Sequence, residues 1–139
     1  MFDFLGLKKR DRKVKILIID DEPDMVQTLQ DRLEMNGYEI VTANNGKEGL
    51  EKAIQEKPTI ILLDVIMPVM DGLEALEALK KNPVTKNCSV IMLTARSQRQ
   101  DIVRAKTCGI RDYVVKPFDL SELIEKIENI VEQHKAVAR

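Results

Sequence analysis

The sequence predicts one α/β domain, a parallel sheet with helices packed on both of its faces. Three observations predict it. Short apolar runs rich in β-branched residues alternate strictly with helical patterns, five of each. The central run, Thr59-Ile60-Ile61-Leu62-Leu63, is unbroken rather than alternating, as in a strand covered on both faces. The 139-residue length suits a single domain with a full core, and 44% hydrophobic with 32% charged residues is an ordinary folded composition. Right-handed crossovers are then the default for each unit.

Each element has a local reason. Lys15–Ile19 is an apolar strand ending on Asp20-Asp21. Pro23 suits a first helical turn, and Met25, Val26, Leu29 and Leu33 share one face, closed by Asn36-Gly37. Glu39–Ala43, short and mixed, reads as a strand nearer an edge. Asn45 can cap a helix with Leu50, Ala53 and Ile54 inward that ends before Pro58. The central strand stops abruptly at Asp64, and Met67-Pro68 marks a turn. Asp71-Gly72 then opens a helix with Leu73, Leu76 and Leu79 inward, stopping near Asn82-Pro83. Ser89–Leu93 is a fourth strand leading into Thr94, and a helix from about Gln98 to Cys108 is stopped by Gly109. Tyr113–Val115 is the fifth strand, ending in Lys116-Pro117. The last helix opens with Asp119 and Glu122 at capping-box spacing and carries Leu123, Ile124, Ile127, Ile130 and Val131 on one face. Its pattern fades after Gln133.

This divides the chain into an extension (1–13), a domain (14–135) and a short tail (136–139). The extension has an apolar head, Phe2, Phe4, Leu5 and Leu7, followed by Lys8-Lys9-Arg10-Asp11-Arg12-Lys13. Such a segment can anchor weakly to a membrane surface or a partner, or simply pack loosely; its few apolar residues favour the second. Its basic residues follow rather than precede the apolar ones, the wrong order for a secretory signal. No run reaches the ~20 residues that cross a bilayer. A net charge of −1 gives no global case for nucleic acid. Cys88 and Cys108 are too few for a disulfide scaffold and lack metal-ligand spacing; Cys108, before Gly109, reads as a packing residue, and the setting as reducing and cytoplasmic. His134 is a lone residue near a helix end and reads as exposed.

Four of the five strands finish on a polar residue suited to chemistry: Asp20 and Asp21, Asp64, Thr94, and Lys116. A parallel sheet puts all carboxyl strand ends on one rim, where open α/β sheets place ligands. Each residue alone has a plainer reading. Asp21 could cap the helix before Pro23, Asp64 could end its strand in solvent, Thr94 could be a strand-end hydroxyl, and Lys116 a solvated charge. Their agreement is harder to dismiss. Like charges ~4 Å apart repel by ~1 kcal/mol in water and ~4 kcal/mol near a protein surface, so three acids beside one lysine call for a counter-cation. Hard oxygens without His or Cys select Mg²⁺ (or Mn²⁺), which commonly joins phosphate to such sites.

Asp20-Asp21, Asp64 followed by Met67-Pro68 and Met70-Asp71-Gly72, Thr94-Ala95, and Lys116-Pro117-Phe118 together resemble the receiver domain of two-component response regulators, from about Val14 to Gln133. The resemblance implies a flavodoxin-like doubly wound sheet in strand order 2-1-3-4-5, and the strand-end rule applied above itself takes a receiver as one of its examples. It implies Asp64 as phosphoacceptor from a sensor histidine kinase or a histidine phosphotransfer protein. It implies Mg²⁺ on Asp21, Asp64 and the backbone carbonyl of Ile66, with Asp20 acting through water. Lys116 and Thr94 would meet the phosphoryl oxygens, Tyr113 would be the switch aromatic, and Lys116-Pro117 would be cis. The fourth helix, fifth strand and fifth helix would then form the readout surface for a separate target. Ile66 and Arg96 fall where this family tunes phosphoryl hydrolysis. Apolar Ile66 cannot hydrogen-bond an attacking water, which predicts a phosphoryl lifetime longer than in fast chemotaxis-type receivers.

Other classes fit less well. A Mg²⁺-dependent phosphatase with an Asp nucleophile would carry an acid where Ile66 stands. A flavin module would not present the acidic loop Asp20-Asp21-Glu22-Pro23-Asp24 to a cofactor phosphate. A receiver-shaped protein that is never phosphorylated would show a degenerate pocket, and this one is intact. The expectation is therefore a stand-alone phosphorylation switch without direct nucleic-acid binding. The kinase, the target, and whether the active form dimerises lie beyond sequence.

Overall fold

A computed structural model describes residues 13–65, 71–95 and 99–138. The elements run β1 (Lys15–Ile19), α1 (Pro23–Met35), β2 (Glu39–Ala43), α2 (Gly46–Glu56), β3 (Ile60–Asp64), α3 (Gly72–Lys81), β4 (Ser89–Ala95), α4 (Arg99–Cys108), β5 (Asp112–Lys116) and α5 (Leu120–Ala138). All strand pairs are parallel and the sheet order is β2-β1-β3-β4-β5, with mixed β2 at an edge as expected.

Alternation along the strands splits the core in two. Ile16, Ile18, Ile60, Leu62, Ile91, Leu93 and Val114 face Leu29 and Leu33 of α1 and the stripe Leu123, Ile124, Ile127, Ile130, Val131 of α5. Leu17, Ile19, Ile61, Leu63, Val90 and Met92 face Ala53 of α2, Leu73, Leu76 and Leu79 of α3, and Ala105 of α4. Fully burying a side chain of this size contributes ~1.5–3 kcal/mol, so both helical layers are held mainly by this apolar contact.

Local signals act largely where the chemistry places them. Asn45 caps α2, its side chain accepting from the Glu48 N–H, and Asp71 and Glu74 form a reciprocal capping box on α3. Gly37 and Gly109 end α1 and α4 with φ of +93° and +96°, the left-handed region that only glycine enters freely.

Several expectations need correction. In α2 the fully buried positions are Gly46, Gly49 and Ala53; Leu50 does pack against the core, from a half-buried position, whereas half-buried Ile54 is not part of that contact. The helix comes so close to β1 that a Cβ on Gly49 would stand 2.4 Å from Ile19 Cδ1. Glu22, not Asp21, occupies the cap position of α1, and its side chain makes no capping hydrogen bond. β4 runs two residues past Leu93, bringing Thr94 opposite Val115 and Ala95 opposite Lys116. The α5 backbone stays helical to Ala138, beyond the point where its apolar pattern fades.

Candidate functional site: an acidic pocket on the carboxyl rim

Strand parity builds the pocket. Asp20, Asp64 and Lys116 each lie two positions beyond an inward residue of the α1/α5 face, namely Ile18, Leu62 and Val114. Side chains two apart on a strand share a face, so two carboxylates and an ammonium are delivered to one side of the rim. The Lys116 Nζ stands 3.4 Å from Asp64 Oδ1 and 3.7 Å from Asp20 Oδ2. One carboxylate oxygen from each of Asp20, Asp21 and Asp64 can lie within 4.8 Å of the others, with Asp20 and Asp64 buried and Asp21 exposed.

Asp20 is 1% exposed. Its Oδ1 accepts the Glu22 N–H at 2.9 Å, whereas its buried Oδ2 has no hydrogen-bond partner among the described residues. Burial raises the Asp20 pKa above the ordinary carboxylate value, against the Glu22 N–H and Lys116, which lower it. For Lys116 burial alone would lower the pKa, but the hydrogen bond to Glu22 and the charges of Asp20, Asp64 and Glu22 together raise it. Lys116 is therefore a fixed ammonium. The unbonded buried oxygen of Asp20, together with an all-oxygen donor set, fits a hard divalent cation such as Mg²⁺.

Thr94 and Tyr113 have the opposite parity. Thr94 is two positions past Met92, and Tyr113 packs against the α2/α3/α4 cluster, with the Lys106 ammonium 5.4 Å from its ring centroid. Thr94 is buried, its hydroxyl donating to the Ala95 carbonyl at 3.2 Å. It stands one position beyond Leu93, the β4 partner of Asp64. The strand ends thus converge on one rim but divide between the two sides of the sheet. The Lys116–Pro117 peptide is cis. Ile66, Met67, Pro68, Met70 and Arg96 lie outside the described residues.

Two participants had no role in the pocket assigned from sequence. Glu22, visible there only as part of an acidic loop, makes the shortest contact to Lys116 through Oε1, at 3.1 Å. Gly72 is the other. Its N–H donates to the Val65 carbonyl at 2.7 Å, and a Cβ there would meet the Asp64 carbonyl oxygen at 2.3 Å and Val65 Cα at 2.6 Å. Only a glycine lets α3 start this close to the strand end that carries Asp64.

A parallel sheet in this order with an acid–lysine pocket at its carboxyl rim defines a class. The response regulator receiver domain model matches residues 16–128, and the chain belongs to that family, the receivers of two-component signalling. Within it, the chain is 38% identical over 117 residues to Protein PilH of Pseudomonas aeruginosa, covering 84% of this chain and 97% of that one. It is also 38% identical over 124 residues to the alkaline phosphatase synthesis transcriptional regulatory protein PhoP of Bacillus subtilis, covering 89% of this chain and 51% of PhoP. The chain thus spans only half the length of such transcriptional regulators. Among solved structures, chemotaxis protein CheY4 of Vibrio cholerae superposes with a TM-score of 0.79 at 31% identity, covering 85% of this chain and 98% of that one. The receiver domain of sensor histidine kinase PA1611 from Pseudomonas aeruginosa, solved with a magnesium ion coordinated in its active-site cleft, gives 0.79 at 25% identity, covering 86% and 98%. Among the described residues no helix is long and apolar enough to cross a membrane.

Proposed function

We propose that this receiver is a phosphorylation-activated switch whose phosphoacceptor is Asp64. A carboxylate oxygen of Asp64 attacks the phosphorus of a phosphohistidine on a sensor kinase or phosphotransfer protein. The P–N bond breaks, its electron pair returns to the imidazole, which takes up a proton, and an aspartyl-phosphate remains. Lys116 holds a permanent positive charge where the phosphoryl oxygens arrive, a preorganised contribution of the kind that dominates phosphoryl transfer. Asp21 and Asp64, with Asp20 through water and the Ile66 carbonyl that the family resemblance implies, would hold Mg²⁺ (or Mn²⁺), which would supply the further positive charge that such a transfer needs. The chain acts on itself rather than turning over a separate substrate.

The observation that carries this reading is the 3.4 Å approach of the Lys116 ammonium to the Asp64 carboxylate inside a pocket of three acids. After transfer, Thr94 turns its hydroxyl to the phosphoryl group and Tyr113 moves inward on the same side of the sheet, biasing an existing two-state surface of α4, β5 and α5. That surface controls a separate protein, with homodimerisation as one form the active state can take. Apolar Ile66 makes the phosphoryl group long-lived; faster decay in Ile66→Asn would support this, and unchanged decay would count against it.

Incubation with Mg²⁺ and acetyl phosphate, read by intact mass, tests the core of the proposal. The expected result is one phosphoryl group on the wild type and none on Asp64→Asn. Equal labelling of the two proteins, or none of the wild type by any donor, would overturn it.

A further inference from the structure

Apolar contact holds α4 to the sheet less firmly than it holds α3. Ala105 is the one fully buried side chain of α4 among the described residues, with half-buried Cys108 packed against the same cluster, and Val103 is 67% exposed. The neighbouring α3 buries Gly72, Leu73, Ala75, Leu76 and Leu79. Two cations of α4 add to its grip. Arg104 Nη2 donates to Glu77 Oε2 of α3 at 3.0 Å, and the Lys106 Nζ lies over the Tyr113 ring of β5, 5.4 Å from its centroid. An ammonium within ~6 Å of a ring centroid is attracted by the negative face of the ring.

Lys106 has a plainer reading. It stands in the last turn of α4, where a cation answers the helix dipole. That accounts for the sign of its charge and not for its place over an aromatic ring. Among the described residues Lys106 forms no ion pair with a carboxylate, so its ammonium is not held there by an acid. Tyr113 gives the contact a consequence. Its side chain is half-buried against the α2/α3/α4 cluster, and it pairs with Met92, two positions before Thr94. Lys106 is exposed. When the ring turns further inward the ammonium cannot follow without giving up its water, and an unpaired charge is costly to bury. The contact therefore belongs to the present position of the ring.

We propose that Lys106 is a brake on the switch. Its ammonium stabilises the present position of Tyr113, and the contact breaks as the ring turns inward, so it opposes activation and sets how readily α4 is released. This rests on the reading of Asp64 as phosphoacceptor and of Tyr113 as switch aromatic. Lys106 acts through Tyr113 and is a positioning residue. By linkage, a ligand of the pocket that favours the inward ring binds more tightly once the brake is removed.

The test is a titration of the full chain with beryllofluoride, a phosphoryl mimic, at saturating Mg²⁺ and followed by NMR. Lys106→Gln should bind it about two- to fivefold more tightly than the wild type, the size of a cation–π contact at an exposed site. Lys106→Arg keeps a cation for the ring and should stay near the wild type. In a Tyr113→Leu background, Lys106→Gln should change nothing. The ε-protons of Lys106, assigned by their absence from Lys106→Gln, should be shifted upfield by the ring in the free wild type and should lose that shift with Mg²⁺ and beryllofluoride. Equal or weaker binding by Lys106→Gln, the same gain in the Tyr113→Leu background, or unshifted ε-protons in the free protein would overturn the brake. The ring shift is read on the wild type, so it decides the matter even where Tyr113→Leu does not fold. A wild type that never binds beryllofluoride would overturn the reading of Asp64 together with the brake, whereas wild-type binding that Lys106→Gln leaves unchanged would sink the brake alone.

Discussion

The Lys116 ammonium sits closer to Glu22 than to Asp64, at 3.1 Å against 3.4 Å. Glu22 is also tied through its backbone N–H to Asp20 Oδ1. A carboxylate outside the three-acid cluster therefore competes for Lys116.

Glu22→Gln should release Lys116 toward Asp64 and remove a negative charge facing an incoming phosphate. Exposed ion pairs are worth ~0–1 kcal/mol, so acetyl phosphate labelling should quicken by up to about fivefold at saturating Mg²⁺. A slower rate would show that Glu22 positions Lys116 rather than diverting it. Lys116→Met in the same assay should slow labelling by on the order of a hundredfold.

Gly72→Ala places a methyl group against backbone, which cannot swing aside as a side-chain end can. A loss of ~1–3 kcal/mol in urea unfolding is expected, together with slower labelling, because the contacted atoms belong to Asp64 and Val65. Wild-type values for both would remove Gly72 from the construction of the pocket.

Asp20→Asn replaces a buried charge whose Oδ2 lacks a hydrogen-bond partner. Without divalent cation the variant should melt higher, by ~1 kcal/mol or more of added stability, since desolvation and repulsion from Asp21 and Asp64 both ease. Mg²⁺ should raise the melting temperature of the wild type more than that of the variant, by linkage of binding to folding. Thermal melts in chelator and in Mg²⁺ measure both effects.

Thr94→Ala should keep Asp64 labelling within several-fold of wild type yet uncouple it from the far side of the sheet. Hydrogen exchange across 99–116, compared with and without Mg²⁺ and beryllofluoride, should change in the wild type and not in Thr94→Ala. An identical response in both would assign the coupling elsewhere.

Much of this molecule was written locally. Unbroken Ile60–Leu63 between two helical patterns is enough to call for a parallel sheet, because a strand covered on both faces has no polar side to show. Asn45, Asp71, Gly37 and Gly109 work at the ends of helices through contacts a few residues long. Even the gathering of Asp20, Asp64 and Lys116 follows from strand direction and the alternation of faces along each strand.

Tertiary structure decided what depends on distance between elements. Sequence could not say that α2 would bury Gly46 and Gly49 more deeply than Leu50 and Ile54, because that follows from how near the helix lies to Ile19. It could not rank Glu22 above Asp64 as a partner of Lys116, nor show that Gly72 must lack a side chain so that α3 can start against Asp64. Periodicity and capping are properties of neighbours along the backbone. Close approach and competition for one ammonium arise only when distant segments pack.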